Sequence, residues 1–213
     1  MKTLLSLLFI VTICTSNYAQ NATKAGELLT EVSEKMDGFD NMYIKFKYEL
    51  INTEVDIQQE SSGFVYTSSD KYHLNFMDNL FIYDGVNTYV IVPEDEEVNV
   101  IDGTSDEEML NPSKLLFFYK EGFTYQWKEQ KNVKGKQIQY IKLIPIDSAA
   151  EAAHFTLGID TKTKLIYTIS ETGNNSTITT FTIQEFQANQ KLSPTLFVFD
   201  EAKYIEQNFI INK

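Results

Sequence analysis

The apolar positions of this chain repeat first at a helical period and then at every second residue. Ala25, Leu28, Leu29, Val32 and Met36 share one face of a predicted helix, and Gly38 stands where it stops. Met42, Ile44, Phe46, Tyr48 and Leu50 then alternate with Tyr43, Lys45, Lys47 and Glu49, which predicts a strand with one apolar and one wet face. A second strand ends at Phe64 to Tyr66. A third covers 71–77, with Tyr72, Leu74 and Phe76 together. Strands at 80–83 and 88–92 flank the hairpin signal Asp84-Gly85, and Pro93 closes them. Asn111-Pro112 opens a short helix through Lys120, with Gly122 behind it. Its Leu115, Leu116, Phe117, Phe118 and Tyr119 are apolar nearly all round, so it is buried or covers an apolar surface. Further strands are predicted at 123–128, 137–144, 155–159, 165–170 and 176–187. A closing segment carries Pro194, Phe197, Phe199, Tyr204, Phe209, Ile210 and Ile211.

No internal repeat or Pro/Gly/Ser-rich linker divides this pattern. Consecutive strands with short connections pair antiparallel. About ten strands and two helices predict a mainly β chain, either a barrel or a strongly curled sheet. Two helices are too few to cover a flat sheet but enough to plug one concave face.

The first residues add a compartment. Lys2, the apolar run 4–13 and Ala19 before Gln20 read as a secretory leader cut after Ala19, with 20–213 as a single domain. The run is too short to cross about 30 Å of hydrocarbon. Cys14 follows the bulky Ile13, which disfavours lipid attachment there. Without Cys14 the exported chain has no cysteine, and its fold owes nothing to disulfides. The whole chain carries a net charge of −12 and no arginine, and removal of the leader takes one lysine and no acid. Such a chain repels phosphate backbones, which excludes nucleic acid, and its net charge counts against anionic membranes.

Little catalytic chemistry is legible. The nine glycines never fall within ten residues of each other, so no phosphate-cradling loop exists. No thiol nucleophile remains after cleavage. His73 lies on the polar phase of its strand and reads as a surface residue, as does His154. Two distant histidines do not make a zinc site, so neither metal nor cofactor is expected. Carboxylates are too many to single out a pair, and the chain reads as no enzyme. A secreted hydrolase would need a cleft with two close acids of opposed pKa. Residues 94–108 hold eight acids and no lysine, and read as a solvated hairpin loop or as a docking surface for a basic partner. Lys128, Lys131, Lys134 and Lys136 read as a solvated hairpin tip. No heptad repeat points to a dimer, so a monomer is expected.

One resemblance orders these parts. Gly63-Phe64-Val65-Tyr66 is followed closely by Tyr72-His73-Leu74-Asn75-Phe76. Asp84-Gly85 comes next, then Tyr89 where tryptophan is common, then Pro93. Asn111-Pro112 opens the apolar helix, and Pro194 to Asp200 closes the chain with Phe197 and Phe199 before an acid. With the leader and the first amphipathic helix, this succession resembles the LolA family of periplasmic lipoprotein carriers over most of the exported chain.

The resemblance implies an unclosed antiparallel half-barrel of about ten to eleven strands, with helices covering its concave face. It also implies a periplasmic carrier that takes up lipoprotein acyl chains in an apolar trough. Its partners would be acylated lipoproteins, an inner-membrane lipoprotein-releasing transporter and an outer-membrane acceptor. The expected wall residues are Ile44, Phe46, Tyr48, Phe64, Tyr66, Leu74, Phe76, Tyr89 and Ile91. The expected lid residues are Leu28, Val32, Met36, Leu115, Leu116 and Phe118. The alternative within the same fold is a lipid- or partner-binding sensor that moves no cargo. One departure stands out. The family carries a lid-latching arginine after the Gly63-type strand, whereas this chain has Thr67-Ser68-Ser69-Asp70 there.

Overall fold

The computed structural model describes residues 2–103 and 112–213. Asn111, the expected helix cap, and residues 104–108 of the acidic run lie outside them. Helix α1 (Lys2–Asp37) opens the chain, and its Ala25, Leu28, Leu29, Val32 and Met36 are all buried. Its last residue is Asp37. Left-handed glycines among the described residues are Gly85, Gly122 and Gly135, so Gly38 follows the helix without adopting a left-handed cap. Strands β1 (Asn41–Asn52), β2 (Ile57–Ser68), β3 (Lys71–Phe76), β4 (Asn79–Tyr83), β5 (Asn87–Val92) and β6 (Glu97–Asp102) follow. Next come α2 (Pro112–Phe117), a 3-10 turn (Phe118–Lys120), β7 (Phe123–Val133), β8 (Lys136–Pro145), β9 (Ala152–Asp160), β10 (Leu165–Gly173) and β11 (Ile178–Ala188). Helix α3 (Glu201–Glu206) and β12 (Ile210–Asn212) end the chain. Among the described residues no helix is long and apolar enough to cross a membrane.

The strands hydrogen-bond in the order β12-β6-β5-β4-β3-β2-β1-β11-β10-β9-β8-β7. The chain is therefore mainly β, an open and mostly antiparallel sheet with a few helices; β12 runs parallel to β6. Twelve strands exceed the ten to eleven expected. Strand β6 lies inside the segment read as an acidic loop: Val98 is fully buried, but its acidic flanks hide the alternation. Strand β12 pairs only three residues, too few to leave a periodic signal.

Two compact units divide the chain. The first holds Met1–Met36, Ile51–Asp56 and Tyr119–Thr180. Its core is one face of β7–β10, where Ile141 stands opposite Leu157 and Leu157 opposite Ile169. Ile141, Leu143, Leu157 and Ile159 are fully buried. Helix α1 meets this face at the Tyr125 ring beside Gly26, and Lys24 Nζ lies 5.0 Å from the Trp127 ring centre. A bulge interrupts β7 between Trp127 and Gln130. The buried Gln139 amide secures it, donating to the carbonyls of Lys128 at 2.7 Å and Tyr140 at 2.9 Å. The second unit holds Asp37–Leu50, Ile57–Phe118 and Phe181–Lys213.

Candidate functional site

Register sorts the side chains of the second unit onto two faces. On one face Val65 opposes Leu74, Leu74 opposes Phe81, and Phe81 opposes Val90. Gly63 opposes Phe76 on the same face. The β1 residues Phe46 and Tyr48 join it through ring contacts, Phe46–Phe76 at 5.5 Å and Tyr48–Phe76 at 5.2 Å between centroids, and Ile44 lies on the same buried phase of β1. Phe181 of β11 completes the cluster, 5.6 Å from Phe46 and 5.3 Å from Tyr48. Ile44, Phe46, Tyr48, Val65, Leu74, Phe76, Phe81 and Val90 are each at most 8% exposed. Glycine is required at position 63, because a Cβ there would stand 2.6 Å from both Asn75 O and Phe46 Cζ.

The opposite face is also apolar. Phe64 opposes Asn75, Asn75 opposes Leu80, Leu80 opposes Ile91, and Ile91 opposes Val98. Tyr66, His73, Ile82 and Tyr89 form the next row. The closing segment covers this face. Tyr89 stacks on Phe199 at 4.4 Å, Phe199 on Tyr204 at 5.3 Å, and Tyr204 meets Phe209 edge-on at 5.2 Å. Ile82, Ile91, Val98 and Tyr204 make a separate buried core. His73 lies under the same segment, half-buried, with Nδ1 2.8 Å from Leu196 O. Burial lowers its pKa, and the bond to Leu196 offsets only part of that. It is a covered residue, not the surface residue that the alternation suggested.

The nine expected wall residues therefore do not share one face. Ile44, Phe46, Tyr48, Leu74 and Phe76 come together. Phe64, Tyr66, Tyr89 and Ile91 face the other way. The cause is that β2, β4 and β5 are apolar on both faces, so alternation alone cannot choose between them. Val65, Phe81, Val90 and Phe181 belong with the first group and were missed; pairing them to Phe76 needs the register.

The expected lid residues fall in two units. Leu28, Val32 and Met36 are buried on α1 in the first. Leu116 is buried, with Leu115 and Phe118 half-buried, in the second, where α2 packs against β2 and β3. In the first unit a cleft of about 480 Å³ is lined by Gly26, Leu29, Thr30, Ser33 and Glu34 of α1 with Tyr119, Lys120 and Tyr125. The Tyr125 hydroxyl donates to Tyr119 O at 2.8 Å and so ties β7 to the preceding turn.

A more polar cleft of about 640 Å³ in the first unit holds Glu151, Glu171, Asn174, Asn175 and Thr177. Burial, and after it the Glu151 carboxylate, raises the Glu171 pKa. Among the described residues no three His, Cys, Asp or Glu side chains could hold a metal ion.

No protein-family model matches the sequence, and no curated protein matches it. Solved structures do. An uncharacterised conserved protein from Thermus thermophilus matches with TM-score 0.58 at 8% identity, over 88% of this chain and 98% of that one. LprF from Mycobacterium bovis matches with TM-score 0.51 at 10% identity, over 81% of this chain and 97% of that one. A LolA superfamily protein from Nitrosomonas europaea gives TM-score 0.42 at 8% identity, over 80% and 97%. At such identities the likeness is one of fold alone. The fold is the one shared by the Thermus thermophilus protein and LprF.

Proposed function

We propose that this chain is a lipid- or lipoprotein-binding module and, more specifically, a carrier of acylated lipoproteins between the two membranes of the cell envelope. The observation that carries the reading is the aromatic and aliphatic face of β1–β5 and β11, centred on Phe46, Tyr48, Phe76 and Phe181. An acyl anchor in water is strongly unfavourable, at about 0.8 kcal/mol per methylene. A face this apolar offsets that cost. Its side chains are packed against cover, so cargo enters only if cover moves aside and trades ring contacts for acyl contacts. That exchange keeps the net affinity modest, which suits a carrier that must release without ATP. The leader would be cut after Ala19 and the protein would work in the periplasm. An inner-membrane transporter would load it and an outer-membrane acceptor would unload it.

The test is a release assay. Spheroplasts making a labelled triacylated lipoprotein are incubated with the purified protein, and the soluble fraction is probed for a complex. The carrier reading expects the complex, and expects Phe76→Asp to abolish it. Because a buried aspartate also costs several kcal/mol of stability, Phe181→Ser, at a half-buried position of the same cluster, is run beside it with circular dichroism. Label that stays in membranes with active transporter present sinks the shuttle. Retained binding in both folded variants sinks the wall assignment. Binding of free lipopeptide without release would favour a sensor that moves no cargo.

A further inference from the structure

The outer face of β7–β10 in the first unit is basic, although the chain as a whole is acidic. Register builds it: Tyr140 and Lys142 of β8 oppose Gly158 and Thr156 of β9, which oppose Thr168 and Ser170 of β10. Lys131 Nζ lies 5.4 Å from the Tyr140 ring centre, and Lys136 Nζ 5.6 Å from that of Tyr167. Burial, and after it the ammonium groups of Lys142 and Lys128, depress the pKa of His154, so both lysines act on this patch. Lys128, Lys131 and Lys136 are exposed and Lys142 is half-exposed. Two acids lie near. Glu129 pairs with Lys131 at 2.8 Å, and Asp160 is turned into its own loop, accepting from the backbone N–H of Lys162 at 2.9 Å.

Two plain explanations cover part of this. A solvated hairpin tip accounts for Lys136. Edge protection accounts for Lys128, Lys131 and the bulge, since β7 is an end strand and lysines discourage edge pairing. Neither accounts for Lys142, which sits on an interior strand, or for tyrosine rings placed under ammonium groups.

We propose that this face docks the protein onto a bilayer surface rich in anionic phospholipid headgroups. Lys136 and Lys142 are six residues apart on one strand, about 20 Å. Charges spread that far across a sheet face match a plane of many phosphates better than one anionic group. Tyr140 and Tyr167 present an apolar body with a polar tip, the side-chain type that settles at membrane interfaces. The net charge of the chain counts against such contact, but the Debye length is only about 8 Å at physiological ionic strength. Acids farther away than that are screened, and the local distribution decides. The inference stands apart from acyl binding, since it needs no lipoprotein.

The test is sedimentation of the full chain with vesicles of phosphatidylcholine alone or mixed with phosphatidylglycerol. The quantity read is the ratio of the two partition coefficients, so insertion through the apolar residues 4–13 cancels. Each lysine near an anionic surface strengthens binding about fivefold. K136Q/K142Q should therefore lower the ratio about 20- to 30-fold. K45Q/K213Q, the same charge change in the other unit, should leave it unaltered, and thermal melts check that both variants fold. A ratio of one for the native chain overturns the proposal, as does an equal fall in both variants. Capture of polyglutamate without capture of anionic vesicles overturns it in favour of an acidic polypeptide partner.

Discussion

Thr67 is 2% exposed, and its Oγ1 makes no hydrogen bond. It follows Gly63 and Val65 on the aromatic face of β2, where a hydroxyl has water to lose and nothing to gain. Valine has the same shape without that debt, so Thr67→Val should stabilise the protein by about 1 kcal/mol. Urea melts with an unchanged slope check this, and a loss of stability would mean that the hydroxyl has a partner in solution. Gly63 shows the opposite constraint four residues away, where even a methyl group has no room. Gly63 opens the Gly63-Phe64-Val65-Tyr66 motif that stood out in the sequence, and Thr67 follows it directly. What the motif could not say is which of its residues face the same way.

At the scale of elements, the closing segment is the least legible part. Its aromatic residues were plain, but their place over β3–β6 depends on stacking between residues over a hundred positions apart. His73 records that docking. Neutral imidazole with its proton on Nδ1 donates to Leu196 O, and burial holds its pKa below the ordinary value of about 6.5. As pH falls, the unfolded chain therefore takes up the proton before the native one does. The stability His73 contributes is complete above about pH 6.5 and is lost as pH drops through the folded value. Urea stability should decline between pH 7.5 and 5.5. His73→Asn keeps a donor for Leu196 and should flatten that slope. His154, depressed in the same sense by burial and by Lys142 and Lys128, contributes a slope of the same sign. An unchanged profile in His73→Asn would detach the closing segment from this titration. The periodic elements fared better: the first helix face, the β1 alternation and the Asp84-Gly85 hairpin all formed as expected. There the Asp84 carboxylate accepts the N–H groups of Val86 at 2.8 Å and Asn87 at 2.9 Å.

Across the whole molecule, the total charge was legible and its layout was not. Adding up lysines and acids gives −12, but strand register is what collects Lys131, Lys136 and Lys142 on one face, with Lys128 in the adjoining bulge of β7. Register likewise divides the expected wall between two faces, because it depends on partners distant in sequence. The total still has a consequence. The ion pairs Lys47–Glu49, Lys47–Glu60, Lys131–Glu129, Lys164–Glu31 and Lys213–Glu201 have side chains between 32% and 64% exposed. Pairs this wet contribute little to stability. Self-repulsion of the acidic excess opposes them and acts over the whole surface. Salt screens both, and with so few lysines the repulsion should dominate. The melting temperature should therefore rise as NaCl goes from 20 to 300 mM, by roughly 2–4 °C if screening recovers about 1 kcal/mol. A fall would mean that the exposed pairs outweigh the excess charge. Vesicle binding through the lysine face must weaken over the same salt range, so stability and docking should move in opposite directions on one titration.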